Sequence, residues 1–239
     1  MPISYRFRWI PFVAAMLAMA LGIVLGNWQT GRAAQKEAIE ATMAARTMAT
    51  PLVLASGTPL PDLGTLEYRR VLAQGEFVRE WTVYLENRPY QGVPGFYVLT
   101  PLRIAGSDRH LLVMRGWAPR NMADRTRVPE FSTPSGAASI RGVARSDVGK
   151  LLQLGQPQPV KPGALLQNLD IGDFERASGL AMLPFVLEQT GDDADGLVRD
   201  WPRPSAGVDK HRGYAFQWYA LAATALIFFI ATGFRRASN

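Results

Sequence analysis

Residues 9–31 read WIPFVAAMLAMALGIVLGNWQTG, and this run contains no charged side chain. A second run, GYAFQWYALAATALIFFIATGF at residues 213–234, is also without charge. A helix needs roughly 20 apolar residues to cross the hydrocarbon core of a bilayer, and each run is long enough. The sequence therefore predicts two transmembrane helices, which we place at residues 9–28 and 211–234.

Charged residues are distributed unevenly around the two apolar runs. All 20 acidic residues lie between Gln29 and Arg212, and 22 of the 26 Lys and Arg lie in the same segment. Because Lys and Arg collect at the cytoplasmic ends of membrane helices, residues 1–8 and 235–239 are predicted to be cytoplasmic termini. A basic face for nucleic acid is not indicated, since the excess charge flanks the apolar runs. It comes from Arg6, Arg8, Arg235 and Arg236.

Small residues recur at every fourth position of the first run. Such a strip allows another helix to approach closely, so we expect a packed helix pair, although Ala and Gly are also common in membrane helices generally. A cleaved signal peptide is the alternative for this run. A retained anchor is favoured because no small-x-small cleavage site follows, and Trp28 and Gln29 are typical of an interfacial boundary. The small residues are Ala14, Ala18, Gly22 and Gly26.

The segment between the apolar runs predicts a folded extracytoplasmic domain. Residues 29–49 are rich in alanine and predict a juxtamembrane helix, and Thr50–Gly64 has the composition of a linker. Within residues 50–210, alternating patterns predict a mainly β domain with one short helix at Asp170–Ser178, capped by Asp170. The predicted strands are Val71–Val78, Trp81–Glu86, Phe96–Ile104, His110–Trp117, Ser139–Arg145 and Pro184–Gln189.

Two features of these strands predict local geometry. The first two strands are expected to form a hairpin around Arg79-Glu80, and Gly116 indicates a bulge or a close backbone approach. From the two apolar runs and the predicted strands together, the predicted fold class is an α+β membrane protein. In it, two transmembrane helices flank one mainly β extracytoplasmic domain with minor helix.

Motifs for catalysis are missing from the sequence. It has no phosphate-binding loop, no GxSxG and no HExxH, and without cysteine it has no disulfide and no thiolate metal site. Asp192, Asp193 and Asp195 before Gly196 match a calcium loop only in part, so a solvated acidic turn is predicted there. We accordingly expect a protein that is not an enzyme.

The two histidines, His110 and His211, receive different interpretations. His110 opens a predicted strand, where an ordinary structural or surface role is expected. His211 stands at the start of the second apolar run, and on a helix Tyr214 and Trp218 would follow on the same side. Imidazole is an axial ligand for haem iron, and aromatic side chains would flank the macrocycle. The alternative is an interfacial histidine that only anchors the helix.

Arginines are frequent in or beside the predicted strands. Guanidinium groups bind carboxylates bidentately, so these residues are candidates for haem propionates or for salt bridges inside the domain, and both readings stay open. The residues are Arg69, Arg70, Arg88, Arg115 and Arg120.

Six short segments spread over the whole chain form a recognisable set. They are Leu25-Gly26-Asn27-Trp28-Gln29, Tyr68-Arg69-Arg70-Val71, Asn87-Arg88-Pro89, Arg115-Gly116-Trp117, Gln167-Asn168-Leu169-Asp170 and Tyr214-Ala215 with Gln217-Trp218-Tyr219. Together with the two apolar runs and His211, these segments resemble the surfeit-locus-protein-one family of cytochrome c oxidase assembly factors. Met114 and Ala118 depart from the usual family pattern, but neither stands at a defining position.

The resemblance implies a role in building haem–copper oxidases. It implies a bacterial inner-membrane protein with a periplasmic domain, haem a as a transiently held group, and oxidase subunit one as partner. Haem a synthase is a second candidate partner, and membrane lipid surrounds the helices. The alternative is a purely structural scaffold that stabilises an oxidase assembly intermediate without binding haem.

The resemblance also implies particular site residues. His211 is the implied axial ligand of the haem iron, and the further haem contacts are Tyr214, Trp218, Trp28 and Gln29. Cationic side chains at the rim are candidates for the propionates, namely Arg32, Lys36, Lys210 and Arg212. Structural or partner-contact roles are expected for Arg88, Arg115, Gly116 and Trp117.

Overall fold

The structure is a computed structural model that describes residues 3–5, 7–124, 128, 130–153, 155–191, 194–202 and 207–236. It divides into two compact units, one formed by the two ends of the chain and the other by Thr42–Trp201. The helices of the described residues are α1 Trp9–Met48, α2 Leu63–Leu66, α3 Ile171–Ser178 and α4 Val208–Gly233, with a 3₁₀ turn at Arg79–Trp81. The strands are β1 Ile3–Tyr5, β2 Leu52–Leu54, β3 Arg70–Phe77, β4 Val83–Leu85, β5 Gly95–Ile104, β6 His110–Pro119, β7 Ala137–Arg145, β8 Leu165–Leu166, β9 Met182–Gln189 and β10 Phe234–Arg236.

Helices α1 and α4 pack against each other in antiparallel fashion. The rings of Phe12 and Phe229 lie 5.5 Å apart near one end, and Gly22 lies against Ala222 in the middle. Both helices are long and apolar enough to cross a membrane, and large apolar side chains cover their outer faces. Beyond the helices, β1 pairs with β10, so the two ends of the chain lie together.

The predicted strip of small residues is correct only in part. Gly22 and Gly26 are buried in the helix pair, whereas Ala14 and Ala18 are exposed. A four-residue spacing turns about 40° further than one full turn of a 3.6-residue helix at each step, so the strip drifts off the contact face. The observed contact face follows alternating steps of three and four residues, as in antiparallel helix pairs.

The other unit is a β-barrel. Strands β3, β7, β9, β6 and β5 are hydrogen-bonded in this order, and β5 pairs again with β3 to close the ring. Only β6 and β9 run parallel within it. All five strands contribute to a core that includes Phe77, Leu102, Val113, Ile140 and Phe185. The mixed fold class expected from the sequence is therefore confirmed, with closure of the sheet as the added feature.

Strand β6 is buried on both faces, as its apolar run indicates. Leu111 and Val113 belong to the barrel core, while Leu112 and Met114 pack in a second core that includes Phe174 of α3. Helix α3 begins and ends where the sequence predicts, and the Asp170 side chain accepts a hydrogen bond from the Gly172 amide.

Two local predictions are wrong. Strands β3 and β4 do not form a hairpin, because the ten-residue β5 pairs with β4 at Val83↔Leu99 and with β3 at Gly75↔Ile104. The two short strands therefore follow one another along the same side of a longer one. In addition, the segment Thr50–Gly64 is more than a linker, since β2 within it pairs in parallel with β3.

Candidate functional site

The start of α4 meets α1 through a hydrogen bond between two predicted site residues. Nδ1 of His211 lies 2.7 Å from Oε1 of Gln29. Both side chains are partly buried. A carbonyl oxygen only accepts, so Nδ1 is the donor in this hydrogen bond, and in the neutral imidazole Nε2 then keeps its lone pair. In the described part of the chain, no hydrogen bond reaches Nε2.

One turn before Gln29 on α1, a tyrosine of α4 fixes how the two helices pack. The Tyr219 ring lies over Gly26, where an added Cβ would come within 2.5 Å of its Cε1. Its hydroxyl donates to Oδ1 of Asn27 at 2.8 Å and lies 3.3 Å from the Thr30 hydroxyl. This network holds α1 and α4 at the separation at which Gln29 reaches His211.

The three predicted aromatic haem contacts occupy different positions. Trp218 lies on the same face of α4 as His211 and is partly buried, and its backbone carbonyl oxygen approaches Gly22 of α1. Tyr214 and Trp28 are each 53% exposed, and Arg32 stacks over the Trp28 ring at 5.9 Å. The structure thus joins His211 directly to Gln29, while Tyr214 and Trp28 lie on open surfaces of the helix pair.

The predicted rim cation Arg212 has an acidic partner within the helix pair. Arg212 pairs with Glu37 at 2.7 Å, and both side chains are well exposed. Exposed pairs of this kind contribute little stability, so Arg212 is easily released for another anion.

A second group of predicted residues lies in the barrel, around a buried ionic triad. Nη2 of Arg115 donates to Oδ2 of Asp195 at 2.8 Å, and Arg199 donates to the same oxygen. All three side chains are at most 5% exposed. The Arg115 guanidinium lies between the rings of Phe77 and Phe131, at 4.9 and 5.3 Å.

The triad corrects one prediction and explains another. Asp195 is not part of a solvated acidic turn, because it is the counter-ion of two buried arginines; Asp192 and Asp193 lie outside the described residues. The β5–β6 register shifts between Val98 and Leu99, so Arg115 is the extra residue of a β-bulge. Of the two roles predicted for these arginines, the structure favours salt bridges inside the domain. Arg115 pairs with Asp195, and Arg120 pairs with Glu86 at 3.0 Å.

Gly116 and Trp117 shape the same end of β6. A Cβ on Gly116 would meet Leu197 Cβ at 2.7 Å, so glycine is required for the close approach of Leu197–Val198. Trp117 then forms a two-bond bridge with Val198, and its indole N–H donates to the Arg88 carbonyl oxygen at 2.6 Å. The bulge and the close approach predicted at Gly116 are therefore both present.

Arg88 is buried without an acidic partner in the described part of the chain. Only 6% of it is exposed, and Nη2 donates to the carbonyl oxygens of Gly149 and Gln167 at 2.9 and 3.3 Å. Burial lowers the pKa of its guanidinium, an effect partly offset by Tyr97, whose ring lies 5.7 Å away. Arg88 therefore acts as a clamp that ties the end of β4 to the segments around Gly149 and Gln167.

His110 has the structural role expected of it. It is only 7% exposed, and burial lowers the pKa of its imidazole, so the neutral ring is favoured. Its backbone amide bonds the Ala181 carbonyl oxygen at 2.8 Å, next to the β6–β9 pairing. No group of residues suited to a metal ion occurs among the residues that the structure describes.

Comparison with known proteins covers both units. The SURF1 family model matches residues 16–223. The chain belongs to the SURF1 family. This match confirms the family that the sequence segments resemble. SURF1 proteins are known as cytochrome oxidase assembly factors.

Individual SURF1 relatives are similar along most of their length. A SURF1-like protein of Monosiga brevicollis is 25% identical over 222 residues, which cover 86% of this chain and 81% of the relative. A SURF1-like protein of Rickettsia felis is 25% identical, with 91% and 94% covered. Surfeit locus protein 1 of Rattus norvegicus is also 25% identical, with 91% and 74% covered.

The geometry at His211 is compatible with haem ligation in a SURF1 protein. Its Nε2 lone pair is available, its ring is fixed from behind by Gln29, and Tyr214 and Trp218 stand on the following turns of α4.

The clamp formed by Arg88 is testable. We expect Arg88→Met to lower the free energy of unfolding by about 1–3 kcal/mol, because two carbonyl oxygens lose the buried donor that they share. Hydrogen exchange in the full-length protein should speed up first around Gly149 and Gln167. The exposed Arg141 of β7 provides the control, and Arg141→Met should leave exchange unchanged. Equal effects of both substitutions would contradict the clamp.

Proposed function

We propose that this protein assists the delivery of haem a to subunit one during cytochrome c oxidase assembly. Membership in the SURF1 family supports the assembly role. The haem step rests on one observation, the His211 imidazole held through Nδ1 by Gln29 so that Nε2 is available. No catalytic step is required of the protein, because haem a is its cargo and leaves unchanged.

We further propose the topology of this function. Residues 1–8 and 235–239 are cytoplasmic, residues 9–28 and 211–234 cross a bacterial inner membrane, and the domain at residues 50–210 is periplasmic. The pairing of β1 with β10 supports placing both termini on one side. Subunit one of the oxidase is the proposed recipient, and haem a synthase the proposed donor.

A single axial ligand suits a carrier. Tight binding would slow the release of cargo, whereas one axial ligand can be exchanged for a ligand of the recipient. Lys210 and Arg212 flank His211 in the sequence, whereas Arg32 and Lys36 follow Gln29, and we propose that some of these cations meet the acidic propionates. The exposed Arg212–Glu37 pair would open at little cost.

The optical spectrum of the purified protein tests this proposal. Protein from cells that make haem a should show a Soret band, and His211→Ala should lower the copurified haem about tenfold or more, because the axial ligand is lost. Phe216→Leu is the matched control, since Phe216 is 74% exposed on α4 and should not affect haem content.

Two outcomes would exclude haem delivery. One is a wild-type protein without a Soret band, and the other is a band that His211→Ala leaves unchanged. If deletion of the gene still impaired the oxidase in either case, the protein would be a structural scaffold for an assembly intermediate. An unaffected oxidase in the deletion strain would contradict the assembly role itself.

A further inference from the structure

Gln29 has a geometry that differs from that of a haem contact. Its side-chain oxygen faces Nδ1 of His211 at 2.7 Å, across the interface between α1 and α4. A group that binds the rear of the imidazole cannot also lie against a ligand at Nε2, because the two nitrogens are on opposite sides of the ring. Gln29 therefore lies on the Nδ1 side of the His211 ring, away from Nε2, the proposed iron-binding atom.

We propose that Gln29 is a positioning residue that fixes the tautomer and the ring orientation of His211, so that Nε2 is the ligating atom. This inference rests on the proposed function for its purpose, but the hydrogen bond itself belongs to the free protein. The neutral histidine side chain in water favours a proton on Nε2, and that tautomer cannot bind a metal through Nε2 until the proton leaves. An acceptor at Nδ1 reverses the preference before any ligand arrives.

The helix packing shows why the acceptor is held so firmly. Gly26 is one turn before Gln29, and the Tyr219 ring rests on it. The Tyr219 hydroxyl donates to Asn27, the next residue of α1, at 2.8 Å. Gln29 therefore projects from a segment whose separation from α4 is fixed by backbone contact, and a side chain of its length spans the remaining distance to His211.

A neutral amide is suited to a carrier in a further respect. A carboxylate at the same position would accept the Nδ1 proton more strongly, give the ring partial imidazolate character and strengthen its bond to ferric iron. A glutamine sets the tautomer without adding that bond strength, so the ligand remains exchangeable. Gln29→Glu should therefore retain the tautomer and lower the reduction potential of bound haem.

Nitrogen-15 NMR of the haem-free, full-length protein in detergent micelles tests the tautomer directly. In wild type, the His211 signals should show a protonated Nδ1 and an unprotonated Nε2. In Gln29→Leu the proton should move to Nε2, whereas Gln29→Glu should keep the wild-type pattern. Gln35→Leu is the control, since Gln35 is an exposed glutamine of α1 that bonds only Arg32 among the described residues, and it should change nothing.

A proton on Nε2 of wild-type His211, or a Gln29→Leu spectrum identical to wild type, would overturn the inference. Haem binding provides the separate check. With the tautomer as expected, Gln29→Leu should copurify less haem than wild type and Gln29→Glu should restore it. Equal haem in wild type and Gln29→Leu would also overturn the positioning role. If no variant binds haem while the tautomers behave as expected, the proposed delivery fails but the orienting hydrogen bond stands.

Discussion

Asp195→Ala should lower the free energy of unfolding of the barrel by about 3–5 kcal/mol. Asp195 is the shared counter-ion of Arg115 and Arg199, and all three side chains are nearly inaccessible to water. Its removal takes from both buried cations the carboxylate that they share, which offsets part of the hydration they lose on folding. Native-state hydrogen exchange of β6 amides in the full-length protein measures the change, because those amides open only when the barrel does.

An exposed ion pair of the same barrel provides the comparison. Arg103 pairs with Glu76 at 3.2 Å, and more than half of each side chain is exposed. Glu76→Ala should therefore cost less than about 1 kcal/mol. A double variant, Arg115→Met with Asp195→Leu, should regain part of the loss of Asp195→Ala, since one of the two buried cations is removed together with their shared carboxylate. Equal losses for Asp195→Ala and Glu76→Ala would contradict the buried triad.

Gly22→Leu should separate the helix pair. An added Cβ would lie 2.8 Å from the Trp218 carbonyl oxygen and 2.9 Å from the Ala222 Cβ, so backbone and not only a flexible side chain opposes it. Overpacking of this kind costs about 1–3 kcal/mol. Because about 1.4 kcal/mol corresponds to a tenfold change, the fraction of molecules with paired helices should fall about tenfold. The natural chain has no cysteine, so Phe12→Cys with Phe229→Cys reports the pairing by cross-linking in isolated membranes.

The same helix contains its own control. An added Cβ on Gly31 would meet no atom within 4 Å, so Gly31→Ala should keep full cross-linking and stabilise α1 slightly. Gly22→Leu should also release His211 from Gln29. Cross-linking that is as efficient in Gly22→Leu as in Gly31→Ala would show that close backbone approach does not hold the pair.

The sequence allowed the helices and most strands to be predicted because their signals are local. Uncharged runs, the apolar segment Leu111–Met114 and the cap at Asp170 depend on neighbours a few residues away. Which strands pair with each other depends on how the sheet closes, and closure joins residues that are far apart in the sequence. Nothing within Val71–Val78 indicates that it pairs with one end of β5 while Val83–Leu85 pairs with the other. The barrel therefore could not be predicted from periodicity.

The candidate site shows the same division. His211 was recognised from its position at the start of an apolar run, and Gln29 from its place in a family segment. Their hydrogen bond joins residues 182 positions apart, so only the folded helix pair shows that one orients the other. Asp195 was misinterpreted for the same reason, since its partner Arg115 is 80 residues away and the surrounding acidic residues suggested an exposed turn.

The strand order has a consequence for synthesis of the chain. Strand β9 lies between β6 and β7 and bonds to both, although it is the last strand of the barrel to be made. Until Met182–Gln189 has left the ribosome, the edges of β6 and β7 are unpaired and the ring stays open. Only about 20 residues then separate β9 from the start of α4. Closure of the barrel and synthesis of the second apolar helix thus fall close together in time, and a nascent chain arrested before Met182 presents open strand edges, which are the surfaces that chaperones and neighbouring strands recognise.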